Sequence, residues 1–111
     1  MSRLTELQEH LANLKQLVIK KNKVEELQNN PLYKELIEQG FFIEEMQRCS
    51  SLAVSEKATP DLRALGNEMA KSGSVLMNYL TTIVMQGRYA EEAIPEVEEA
   101  IVEEENSKEE E

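Results

Sequence analysis

Residues 3–20 read RLTELQEHLANLKQLVIK, and within them Leu4, Leu7, Leu11, Leu14 and Val18 recur at spacings of 3, 4, 3 and 4. Apolar residues at that rhythm fall on one narrow stripe of an α-helix, the a/d pattern of a helix that pairs with another helix. Arg3, Glu6, Glu9, Lys15, Lys20 and Lys23 fall on the other faces, where water solvates them. Ser2 is placed to cap the helix, and the pattern predicts one helix over about residues 3–28. Continued beyond Val18, the heptad reaches Lys21 and Glu25, whereas the apolar residues are Leu17, Val24 and Leu27. The seam is therefore expected to change phase there, or to change packing partner.

A strict two-in-seven stripe is narrower than the face of a helix sunk in a globular core. The chain also has few aromatic residues with which to fill a core, three Tyr and two Phe among 111 residues. Self-association through Leu4, Leu7, Leu11, Leu14 and Val18 is the expected use of the stripe, a homo-oligomer and by preference a dimer. The alternative is intramolecular packing on the second and third helices.

Asn29-Asn30-Pro31 stops one helix and starts another, Asn30 as cap and Pro31 at the first helical position. Leu32, Tyr33, Leu36 and Ile37 continue it to Gly40, which either ends the helix in a left-handed cap or admits a close neighbour. Phe42, Met46, Cys49 and Ala53 predict a third helical stretch over about 41–53, with Phe41, Phe42 and Ile43 as the core anchor. Thr59-Pro60-Asp61 opens a fourth helix. There Leu62, Leu65, Met69, Ser72, Leu76 and Tyr79 or Leu80, then Ile83, keep the 3/4 spacing, while Gly66, Ala70 and Gly73 form a strip of small residues on an adjoining face. Each Gly costs a helix about 1 kcal/mol relative to Ala, a cost that close helix packing offsets. Gly87 is expected to close this helix.

Charge divides the chain more sharply than any motif. The formal net charge is −10; residues 1–87 carry 11 acidic and 10 basic side chains, whereas residues 88–111 carry 11 Glu against Arg88 and Lys108. A helical domain over 1–87 followed by a disordered acidic tail over 88–111 is the expected organisation. Within the tail, Pro95 begins a short amphipathic segment, 94–102, with Ile94, Val97, Ile101 and Val102. Alone it is too short and too self-repelling to hold a helix, so it either docks back on the body or orders on a partner. Together with Glu103, Glu104 and Glu105 it is the candidate partner-binding segment, and its charge suits a basic protein.

Chemistry-bearing residues are sparse. One Cys and one His cannot build a Cys/His zinc site in one chain, nor a disulfide framework. Cys49 lies on an apolar face and reads as a small buried hydrophobe, and His10 lies at the edge of the seam. Ser50-Ser51 has no base and carboxylate beside it to activate a hydroxyl. The adjacent pairs Glu25-Glu26 and Glu44-Glu45 point in different directions on a helix. Lys20, Lys21 and Lys23 are the one basic cluster, suited to receiving the acidic tail of this chain or a neighbour. No catalytic residue, metal or cofactor is expected. Neither direct binding of nucleic acid, which a negative chain repels, nor a membrane span is expected.

The central residues Asn30-Pro31-Leu32-Tyr33, Leu36-Ile37, Gly40-Phe41-Phe42 and Glu44-Glu45 carry a resemblance. Over about residues 29–85 the chain resembles small helical accessory proteins of tailed bacteriophages, in which a helical seam precedes such a segment and an amphipathic helix follows it. The resemblance implies a context rather than a mechanism; in composition the chain is also similar to phage head-core and scaffolding proteins. The expected fold is all-α, a helical hairpin or small bundle with a long N-terminal amphipathic helix. The expected function is a non-enzymatic interaction protein that self-associates through helices, a phage accessory or head-assembly factor. The alternative is an acidic inhibitor that imitates nucleic acid and blocks a basic protein. The expected location is the cytoplasm, that of the host for a phage-encoded chain, or the virion.

Overall fold

A computed structural model describes the backbone of residues 2–110 and the side chains of residues 2–107. The chain forms α1 (Arg3–Asn29), α2 (Pro31–Tyr33), a π-helical segment (Lys34–Glu45), α3 (Met46–Ala53) and α4 (Pro60–Glu110). The described residues contain no strand, so the fold is all-α. It divides into two compact units, residues 1–25 with 82–111, and residues 26–81.

Three helix starts follow from local chemistry. Ser2 Oγ accepts the Thr5 amide at 3.1 Å, Asn30 Oδ1 the Leu32 amide at 2.8 Å, and Thr59 Oγ1 the Leu62 amide at 3.2 Å. Each satisfies a donor that the first turn would otherwise leave without a partner. Pro31 and Pro60 occupy first helical positions, where a missing N–H does no harm.

In the first unit the leucine seam of α1 packs within the chain. Leu14, Ala90 and Val97 are buried together, and Leu7, Leu11, Leu17, Val18, Ala93, Ile94 and Ile101 pack against them. The partner of the seam is thus α4, not the second and third helices. The two stretches run antiparallel, since Arg3 Nε lies 3.8 Å from Glu104 Oε2 while Lys21 meets Glu91. This contact corrects the expectation for residues 88–111. Through Glu110 they are helical and continuous with α4; Glu111 and the side chains of Lys108, Glu109 and Glu110 lie outside the described residues. Gly87 does not end the helix and Pro95 does not begin one, because both lie inside α4. The physical reason is that Ala90, Ile94, Val97 and Ile101 find an apolar surface on α1, and burial outweighs the repulsion among the glutamates on the outer face.

In the second unit Gly40 does not end a helix either, and no described glycine has a positive φ. The chain instead widens into π-helix, in which bonds span five residues, as from the Met46 amide to the Phe41 carbonyl. Turns wider than the usual ~3.6 residues suit the recurrence of Tyr33, Ile37, Phe41, Glu45 and Cys49 at every fourth residue. The buried members are Tyr33 and Cys49. Phe41 and Phe42 are half-buried, their ring centroids 5.7 Å apart and tilted by 58°, and Ile43 is exposed, so this cluster is not the core anchor that its composition suggests.

Within the small-residue strip Gly66 and Gly73 lie close to α3, and they differ in tolerance. A Cβ on Gly66 would stand 2.8 Å from the Cys49 carbonyl oxygen and 3.0 Å from the Ala53 nitrogen, both backbone atoms. A Cβ on Gly73 would meet only the flexible thioether of Met46. Gly66→Ala should therefore destabilise by about 1–2 kcal/mol net of its helix-propensity gain, whereas Gly73→Ala should be neutral or stabilise by up to about 1 kcal/mol. Thermal denaturation followed by circular dichroism checks the order, and equal effects would show that the strip is not closely packed.

Candidate interaction surfaces

The seam of the first unit holds a charged residue. On α1 the positions Leu4, Leu7, Leu11, Leu14, Val18, Lys21 and Glu25 keep the 3/4 spacing without interruption. Lys21 is a seam residue, 7% exposed; beyond it Val24 is buried at 8% while the Glu25 side chain is 41% exposed, so the buried face leaves the heptad after Lys21. Opposite it lies Gly87, where a Cβ would collide with Cβ and Cγ of Lys21. The glycine makes room for the lysine stem, and the ammonium reaches the edge of the seam. There it donates to Glu91 Oε1 and lies 3.4 Å from Glu25 Oε1. The Glu91 hydrogen bond, the largest contribution, holds the Lys21 pKa above the ordinary lysine value; burial opposes this, and Glu25 adds to it. A single polar residue in an apolar seam fixes register, here because a slip replaces Gly87 by a larger side chain opposite the lysine stem.

The second unit leaves an apolar stripe on its surface. Leu62, Leu65, Leu76 and Tyr79 of α4 are 46%, 52%, 38% and 55% exposed, while Gly66 and Gly73 beside them are buried against α3. The small strip admits a neighbouring backbone, and the large residues of the adjoining 3/4 repeat are thereby turned outward. A second apolar feature, a shallow groove of about 260 Å3, is walled by Leu27, Leu32, Leu36 and Tyr33. Burial, and then the charge of Glu38, push the Tyr33 hydroxyl pKa up.

The remaining residues singled out by the sequence have plainer surroundings. His10 is exposed. Cys49 is fully buried and its thiol points to Glu45 Oε1 at 3.7 Å. The Glu45 carboxylate also accepts from Arg48 at 2.5 and 3.1 Å, which holds its pKa below the usual carboxylate range. Ile94, Val97 and Ile101 of the expected partner-binding segment face α1, whereas Val102, Glu103 and Glu105 face outward and Glu104 is half-buried beside Arg3. Lys21 belongs to the basic cluster that the sequence suited to receiving the acidic residues of this chain, and it meets Glu91; its burial in the seam opposite Gly87 is what sequence reasoning did not find. No described helix is long and apolar enough to cross a membrane. No family model, curated protein or solved structure matches the chain.

The raised Lys21 pKa gives a stability term with a definite sign. The folded chain holds this proton more tightly than the unfolded one, so the contribution is complete below the ordinary lysine pKa and is lost as pH rises through the raised value. Lys21→Met keeps the stem and removes the titration. Urea denaturation at neutral pH and above the lysine range should show a smaller alkaline loss for Lys21→Met than for the wild type. Equal losses would mean that the ion pair contributes nothing.

Proposed function

We propose that this chain is a non-enzymatic helical interaction protein that self-associates and offers the exposed apolar stripe of α4 to a helix of a protein partner. The resemblance sets this role among accessory or head-assembly factors of tailed bacteriophages. The stripe carries the reading: Leu62, Leu65 and Leu76 stand at helical spacing on one face and remain in water in the single chain. An apolar helix face of this kind is the half of a helix–helix contact that a partner completes. The leucine seam of α1 is not available for that purpose, because α4 covers it.

A second reading has its own support. Residues 91–105 place eight Glu on helix, over roughly 22 Å at about 1.5 Å per residue. That is one charge per ~3 Å, against about 1.7 Å for duplex DNA and 3.4 Å for each of its strands. A rigid array suits an imitator of nucleic acid better than a disordered tail does.

Affinity capture from the native host at low and high salt separates the two. Capture that persists at high salt and is lost in Leu65→Glu/Leu76→Glu supports the stripe. Capture that high salt abolishes, and that fails when Glu92, Glu96 and Glu99 are changed to Gln, supports the inhibitor. The self-association itself predicts a light-scattering mass above the 12.7 kDa of one chain.

A further inference from the structure

The first unit carries a surface whose two ends complement each other. A groove of about 380 Å3 is walled by Leu17 of α1 and by Met85 and Tyr89 of α4. Met85 and Tyr89 are 63% and 67% exposed, high values for side chains of their size. Leu17 also borders a second groove, of about 460 Å3, with Lys20 and Lys23. Tyr89 likewise borders a third, of about 130 Å3, with Glu92 and Glu96. The face is therefore basic at one end, apolar in the middle and acidic at the other end.

Such a face fits itself. A two-fold axis through the apolar centre, lying across the line from the lysines to the glutamates, places the basic end of one copy on the acidic end of the other. It also brings Tyr89 and Met85 of the two copies together. Two-fold contacts require this kind of self-complementarity, since every contact is made twice. The sides differ in sign because Lys20 and Lys23 belong to α1, whereas Glu92 and Glu96 belong to α4.

We propose that a second copy of this chain docks on the face formed by Leu17, Met85 and Tyr89, with Lys20 and Lys23 of each protomer meeting Glu92 and Glu96 of the other. The proposal rests on the self-association reading above and assigns it a surface, distinct from the α4 stripe that is left for another protein.

Charge reversal on the full chain tests it by sedimentation equilibrium. The wild type should form a dimer at low salt. Lys23→Glu and Glu96→Lys should each weaken it by about tenfold or more, because each reversal acts twice in the interface. The double variant Lys23→Glu/Glu96→Lys should return to within about threefold of wild type, and Tyr89→Ser should weaken the dimer without loss of helical circular dichroism. A dimer indifferent to all four variants would overturn the assignment of this face while leaving self-association intact. A dimer that dissociates only in Leu65→Glu/Leu76→Glu would overturn it in favour of the stripe. A monomer at every concentration would overturn both.

Discussion

Residues 88–104 hold their place because Leu7, Leu11, Leu14 and Val18 of α1 give Ala90, Ile94, Val97 and Ile101 something to bury against. On the outer face the pairs Glu92–Glu96, Glu96–Glu99 and Glu99–Glu103 repel at helical spacing, each by about 0.2–0.5 kcal/mol. Pro95 removes a helix hydrogen bond, at about 3 kcal/mol. Against this stand Ile94, Val97 and Ile101 with the leucines they cover, each apolar side chain worth about 1.5–3 kcal/mol when fully buried. Several such side chains outweigh the opposing terms, and the C-terminal part of the chain is helix rather than tail. One covered seam therefore shapes the first unit and aligns its outer glutamates.

Lys21 and Gly87 give that seam its register. An antiparallel pair of a/d stripes can slide by a heptad with little loss of apolar contact. The lysine stem, however, has room opposite the glycine, where a Cβ would collide with it. A shift by one heptad sets Leu80 or Ile94 opposite Lys21 in place of Gly87 and removes that room. Ordinary seam residues supply stability here, and the one charged residue supplies alignment.

Much of this was readable from local chemistry. Ser2, Asn30 and Thr59 are caps because their side-chain oxygens reach amides that a helix start leaves open, a property of a few consecutive residues. The close packing of Gly66 and Gly73 was legible for a similar reason, since glycines repeated inside a helix require a compensating neighbour. What covers a face was not legible. Periodicity states that Leu4–Val18 is buried, not by which helix, and so the stripe suggested a second chain where α4 is the cover. In residues 88–101 two signals opposed each other. The residues Ile83, Gly87, Ala90, Ile94, Val97 and Ile101 keep one 3/4 rhythm, which taking Gly87 as a helix end cut in two, and the charge count pointed to disorder. Charge repulsion in water is screened and small per pair, and the rhythm was the better guide. The π-helical segment left one trace, Tyr33, Ile37, Phe41 and Cys49 recurring at multiples of four with Glu45 among them, which a reading in α-helical turns divides among different faces.

The claim on which the docking face of the first unit and the acidic array depend is that residues 88–104 are packed helix. Native-state hydrogen exchange across the chain measures this directly. The account predicts amides of residues 90–101 protected to the same degree as those of Leu11–Val18, since both belong to one cooperative contact. Exchange of residues 90–101 at the rate of an unstructured peptide, with α1 still protected, would contradict it.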